Sequence, residues 1–164
     1  PFGPAELKGK WTLVLLGYTH CPDVCPFTLN NLALVNEQLK SQLTPDLLPQ
    51  VVFVGVDPDR DAAVLPDYVP HFDPGFLGAT GEWAEIRKLV ETLEGFVSID
   101  RKDAKDEGYP VRHSSRVSVI DPEGRIVAQI NPPMPPAETA MLIAGFVREQ
   151  RKGAAVRPPE PAGQ

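Results

Sequence analysis

Two runs of apolar residues dominate the pattern of the chain. Trp11-Thr-Leu-Val-Leu-Leu-Gly17 and Val51-Val-Phe-Val-Gly-Val56 lack polar alternation, as strands buried on both faces do. The second run is stopped by Asp57-Pro58. Between them, from Pro26, the period changes. Leu29, Leu32, Leu34, Val35 and Leu39 recur at helical spacing until Thr44-Pro45-Asp46 ends the pattern. Ala62–Phe72 predicts a weaker helix, in which Pro66 is tolerated only near the first turn. Phe76–Ala79 reads as a short third strand. Thr80-Gly-Glu82 leads into a helix over Glu82–Leu93 with Trp83, Ile86, Leu89, Val90 and Leu93 on its core face. Phe96-Val-Ser-Ile99 is followed by a polar stretch, Asp100–Gly108. Val117–Ile120 and Arg125–Ile130 flank a hairpin turn, Asp121-Pro-Glu-Gly124. A last helix, Pro136–Arg151, is expected to place Met141, Leu142 and Phe146 on one face.

The order is β-α-β-α-β-α-β-β-α. Early alternation forces parallel pairing through right-handed crossovers, and the late hairpin adds an antiparallel strand. The expected fold is α/β, a central mixed sheet flanked by helices, the content of a thioredoxin-like architecture. A length of 164 residues predicts one domain. It is assigned to residues 1–152, with residues 153–164 as a disordered tail rich in Pro, Ala and Gly. At 42% hydrophobic and 23% charged residues the composition is that of a globular chain, large enough to fold without a disulfide framework. A net charge of −6 argues against nucleic acid or an anionic membrane surface as the main partner. No window approaches a membrane span, no signal peptide is visible, and the chain starts at Pro1, as expected of a mature or trimmed fragment.

The only cysteines, Cys21 and Cys25, stand in Cys21-Pro-Asp-Val-Cys25-Pro26, between the first buried strand and the first long helix. In a parallel sheet that is the carboxyl end of a strand, where ligand sites gather. Amide groups at the mouth of the helix and the positive end of its dipole are expected to favour thiolate over thiol. Residues four apart on a helix lie within disulfide range, and the same proximity suits two thiolates on one metal ion. A purely structural disulfide is disfavoured, because a bridge over three residues constrains little entropy. A redox dithiol and a metal clamp remain.

Two thiolates are too few for structural zinc and suit Cu(I) better. A third donor must come from His20, His71 or His113. His20 is expected to point away from Cys21 in an exposed loop, and His71 to sit on the surface. His113 stands just before Val117–Ile120, a strand that neighbours the first in a thioredoxin-like sheet. The loop leading into that strand is therefore able to fold over the cysteines, which leaves His113 open between ligand and bystander. Asp57 begins the loop after the second strand and is a candidate for supporting the site or touching a partner, or else a capping or turn aspartate. Met134 in Pro132-Pro-Met-Pro-Pro136 is a soft donor better explained by turn packing.

Gly17-Tyr-Thr-His-Cys-Pro-Asp-Val-Cys-Pro26 resembles the signature of the Sco/SenC family, the copper-binding proteins of cytochrome c oxidase assembly. Four further segments are similar to that family, in order: Val56-Asp-Pro-Asp-Arg-Asp61, Phe72-Asp-Pro-Gly-Phe76 with Thr80-Gly81, Tyr109-Pro-Val-Arg-His113, and Ile120-Asp-Pro-Glu-Gly-Arg125. The resemblance runs from about Leu7 to Val147. It implies a thioredoxin-like fold binding one copper ion, Cu(I) or Cu(II), through Cys21, Cys25 and His113. It also implies a role in maturing the CuA centre of cytochrome c oxidase subunit II, by delivering copper or by reducing that centre's cysteines. The partner would be that subunit or another copper chaperone. Family members are usually held by an N-terminal membrane helix, absent here, facing the bacterial periplasm or the mitochondrial intermembrane space. Here Arg112 precedes the histidine where an acidic or small residue is common, which alters the charge near the metal.

Thioredoxin-type enzymes use a spacing one residue shorter and most carry a proline before the facing strand, where Ser114-Ser-Arg116 has none. Both differences weaken a generic oxidoreductase reading. The polar loop Asp100–Arg112 is expected to give slack for carrying His113 to the sulfurs. A thiol–disulfide oxidoreductase acting through Cys21 and Cys25 stands as the alternative function. A peroxidase would need an arginine and a threonine packed around one cysteine. Thr19 is near in sequence, but no arginine partner can be placed.

Overall fold

The computed structural model describes residues 3–101 and 108–156. Its centre is β1 (Thr12–Gly17), every residue of which is buried. β1 pairs in parallel with β2 (Gln50–Gly55), Leu13 opposite Val51 and Leu15 opposite Phe53. On its other side it pairs antiparallel with β6 (Val117–Ile120), Leu13 opposite Val119. β3 (Leu77–Ala79) and β7 (Ile126–Ile130) close the edges, giving the order β3-β2-β1-β6-β7. Because side chains alternate across a strand, β1 feeds two cores at once. Leu13 and Leu15 join Leu29, Leu32, Val35, Phe53 and Ile143 beneath α2 (Val24–Lys40) and α5 (Pro136–Val156). Val14 and Leu16 join Val52, Val54, Ile86 and Val90 beneath α4 (Trp83–Thr92). This is the mixed sheet between helices that the pattern predicts.

Several elements depart from the sequence reading. A single helical turn, α1 (Pro4–Leu7), precedes β1. α3 covers Pro58–Tyr68 and begins four residues before the expected Ala62. Pro58 is preorganised for the first helical position. Pro66 lies instead in the last turn, on the exposed side, two residues before the helix ends. On α2, Leu34 is exposed, and on α5 so are Met141 and Leu142. The buried stripe of α5 is Ala140, Ile143, Ala144 and Val147, whose small members let α5 approach α2. The last helix also continues past Arg151 to Val156, so that the first residues of the expected disordered tail are helical. Residues 157–164 lie outside the described residues.

The segments around the polar stretch form a separate two-stranded ribbon, β4 (Val97–Ile99) with β5 (Val111–His113), in the register Val97–His113 and Ile99–Val111. Val111 and Arg112 are thus strand, not slack. The positioning of His113 comes from strand pairing instead of loop reach. Residues 102–107 of the expected loop lie outside the described residues.

The hairpin turn between β6 and β7 is organised by Asp121, whose buried carboxylate accepts from the Glu123 amide at 3.0 Å and the Arg125 amide at 2.9 Å. Its other oxygen accepts from Arg125 Nε at 2.7 Å, and Gly124 takes φ +84°, a conformation glycine adopts freely. Burial works to raise the Asp121 pKa, but the hydrogen bonds and charge of Arg125 outweigh it and hold the carboxyl below its ordinary value. Asp121→Ala is expected to lower stability by about 1–3 kcal/mol in urea unfolding near neutral pH. Since the folded-state pKa is depressed, that contribution is present above the ordinary aspartate value of about 3.9. It vanishes as pH falls through the folded-state value, so the variant and the parent chain should converge in acid.

Candidate metal centre

The site is built where β1 runs out. Gly17 ends the strand against Phe53. A Cβ there would lie 2.5 Å from the Phe53 ring and 3.0 Å from Cys25 Sγ, so only glycine lets strand, ring and sulfur meet. The chain then turns, with the Cys21 amide donating to the Tyr18 carbonyl at 3.1 Å, and enters α2 at Val24. Cys25, the second helical residue, is buried under the sheet, whereas Cys21 is half-buried at the mouth of the helix. The Cys25 amide, one of the donors a helix start leaves unpaired, points at Cys21 Sγ at 3.5 Å.

His113 arrives from the opposite side at the end of β5. Its neighbour is clamped to the start of β4. The Ser114 amide donates to the Phe96 carbonyl at 3.1 Å, and the Phe96 amide donates to Ser114 Oγ at 2.9 Å. His113 Nδ1 lies 2.9 Å from the Ser114 carbonyl. A carbonyl only accepts, so Nδ1 carries the proton and Nε2 presents a lone pair. That lone pair is 3.5 Å from Cys25 Sγ. The ligand atoms of Cys21, Cys25 and His113 all lie within 4.8 Å of one another. A ring nitrogen fixed by a hydrogen bond at its other nitrogen is the arrangement that orients a metal-binding imidazole.

The electrostatics differ from the sequence expectation at one atom. Burial, then the hydrogen bond with Cys21, pushes the Cys25 pKa well up, against a backbone hydrogen bond with Tyr18 that lowers it. Desolvation therefore dominates at Cys25 and favours the thiol, placed to donate to His113 Nε2. Burial also lowers the His113 pKa, partly opposed by the Ser114 carbonyl and by Asp61. Both shifts favour a neutral imidazole beside a protonated Cys25 thiol, and a soft cation held here would take the place of the thiol proton.

The other sequence candidates are dispersed. His20 is exposed, with Nδ1 3.1 Å from Thr19 Oγ1. His71 is exposed against Phe72, and Met134 is packed in the core. Arg112 is exposed on β5. Asp57 is fully buried at the start of α3, but its carboxylate neither caps the helix nor reaches the donors. It accepts from Tyr109 Oη at 2.9 Å and pairs with Arg60 Nε. Sequence reasoning passed over the groups that do approach the site. Tyr18 meets His113 edge to face, with ring centroids 5.7 Å apart. Asp61 Oδ1 accepts from the Thr19 amide at 2.7 Å and from Thr19 Oγ1 at 2.8 Å, securing the loop before Cys21. Starting α3 at Pro58 would have revealed Asp61, one helical turn after Asp57. Thr19 is engaged by Asp61 and Arg60 by Asp57, so neither is paired with the other as the activating couple of a peroxidase would be.

An α/β domain of thioredoxin-like build, with two sulfurs and one imidazole converging at the carboxyl edge of its central strand, defines a class of thiol domains that could hold one soft metal ion. The chain belongs to the SCO1/SenC family, whose model matches residues 1–148. The "SCO2-like protein" of Rickettsia felis is 34% identical over 145 residues, 88% of this chain and 69% of that protein. The human "Protein SCO1 homolog, mitochondrial" is 35% identical over 149 residues, 90% of this chain and 48% of that protein. Among solved structures, yeast Sco1 with copper bound matches at a TM-score of 0.82 and 28% identity, covering 94% of this chain and 86% of that one. Arabidopsis thaliana ScoI with copper bound matches at 0.75 and 31%, covering 90% and 88%. The chain spans about half the length of the human and other mammalian mitochondrial relatives. Among the described residues, no helix is long and apolar enough to cross a membrane.

Proposed function

We propose that this chain is a copper carrier that holds one ion through Cys21, Cys25 and His113 and passes it on during maturation of the CuA centre of cytochrome c oxidase subunit II. Copper is its cargo. The partner is that subunit or another copper chaperone, met at the periplasmic face of a bacterial inner membrane or in the mitochondrial intermembrane space. One observation carries the reading: three soft or borderline donors lie within 4.8 Å of one another, with the His113 lone pair turned toward Cys25. Two sulfurs and one nitrogen suit Cu(I), and a fourth ligand for structural zinc is missing from this set. Relatives solved with copper bound support the choice of ion.

The test is metal loading of the reduced protein. It should hold about one equivalent of copper, and His113→Ala should weaken Cu(I) binding at least ~10-fold and alter the Cu(II)–thiolate absorption. Unchanged affinity and spectrum in His113→Ala would remove the proposed site.

A thiol reductase acting on the same CuA-site cysteines is the second reading, favoured by the unequal exposure of the pair. Half-buried Cys21 is placed to attack a target disulfide and buried Cys25 to resolve the mixed disulfide. The target then leaves with two thiols, and Cys21–Cys25 is oxidised to a disulfide. This reading expects Cys25→Ser to trap a covalent partner and His113→Ala to leave exchange intact.

A further inference from the structure

We infer that Arg60 is a positioning residue that clasps the β4–β5 ribbon onto the cysteine loop and thereby decides whether His113 joins the sulfur pair. The inference rests on the copper reading above and names a determinant of that same site. Two three-residue strands make a ribbon too small to hold its own position, so tertiary contacts must place it. Arg60 supplies contacts to both sides. Its guanidinium lies 3.8 Å from the centroid of the Tyr109 ring, and Nη2 donates to the Tyr109 carbonyl at 3.2 Å. Tyr109 opens the segment that becomes β5. The same guanidinium lies 5.5 Å from the Tyr18 ring, three residues before Cys21, and Tyr18 in turn meets His113 edge to face. Asp57, fully buried, anchors the clasp from below through Arg60 Nε and Tyr109 Oη. A flat fork is required, because one group stacks on an aromatic face while donating in its own plane; an ammonium does not do both.

Arg60→Lys, and not Arg60→Met, separates this role from general support. Arg60→Met strips a partner from a buried carboxylate and risks the fold. Arg60→Lys keeps a positive charge beside Asp57 while removing the stack and the bond to the Tyr109 carbonyl. Cu(I) affinity is measured by competition with a chromophoric chelator in the full chain, in Arg60→Lys, in His113→Ala and in the double variant. If Arg60 sets the imidazole, His113→Ala weakens binding tenfold or more in the parent chain and less than threefold in the Arg60→Lys background. A metal-free readout runs beside it. Amide exchange of Ser114, bonded to Phe96, should accelerate at least tenfold in Arg60→Lys while β1 and β6 amides keep their rates. An equal His113→Ala effect in both backgrounds, or unchanged Ser114 exchange, overturns the clasp. A silent His113→Ala in the parent chain would sink the copper reading instead, and the exchange rates alone would then decide the role of Arg60.

Discussion

Cys25→Ser is expected to reduce Cu(I) affinity at least 100-fold and to flatten its dependence on pH. Structural zinc sites bind with roughly 10–16 kcal/mol over four ligands, which puts one ligand at about 2.5–4 kcal/mol, a factor on the order of 100 or more. The sign of the pH effect follows from the state of Cys25. Burial and the neighbouring Cys21 sulfur raise its pKa, so near neutrality the ion must displace a proton. Affinity therefore climbs with pH, by about tenfold per pH unit for each proton released. His113 contributes little to that slope near neutrality. Its pKa is lowered by burial, so protons compete for Nε2 only below the ordinary imidazole range of about 6.5. Chelator competition between pH 6 and 8 should show His113→Ala weaker than the parent chain yet parallel to it. Cys25→Ser should be weaker still and less steep by one proton. A Cys25→Ser line parallel to the parent's would mean that the buried sulfur is not where the proton leaves. Far-UV circular dichroism of the serine variant checks that the fold persists.

The three candidate donors are easier to read in the sequence than what holds them. Uninterrupted apolar runs identify β1 and β2 because a strand buried on both faces tolerates no alternation, and the cysteines follow β1 directly. His113 was harder. A strand of three residues has no measurable period, so β5 hid within an apparent loop, and its pairing with β4 depends on contacts across a polar stretch. At Cys25 the pull toward thiolate is outweighed for a related reason. A helix start is visible in the sequence, but the depth of Cys25 beneath Phe53 and Gly17 is tertiary, and desolvation dominates there. Arg60 and Asp61 were missed through one local misreading. Beginning α3 at Ala62 instead of Pro58 leaves Asp57, Arg60 and Asp61 in a loop without relative positions. On one turn of helix they form a single bonded group, with Asp57 and Asp61 buried and Arg60 partly so. The exposed Met141 and Leu142 teach the converse: large apolar residues on α5 drew the predicted face, while alanines made the real contact.

Gly17 is the position where the smallest substitution should have the largest structural effect. A methyl group there meets Phe53, which is completely buried and part of the core beneath α2, so the ring has no free direction in which to retreat. It also meets Cys25 Sγ, which is held by its place on α2 and by His113. Overpacking of this kind costs about 1–3 kcal/mol. Gly17→Ala should therefore lower the urea midpoint at unchanged slope and reduce the melting temperature by roughly 2–4 °C for each kcal/mol lost. Gly81→Ala, where a Cβ meets nothing within 4 Å, serves as the control for adding a methyl group to the same fold. The two effects should separate in one further measurement. If the strain is relieved by moving the sulfur, Gly17→Ala also weakens Cu(I) binding; if it is relieved by moving the ring, stability falls and copper affinity does not. Stability equal to the parent chain would show that ring and sulfur make room for a methyl group at no cost, and the glycine at the end of β1 would lose its explanation.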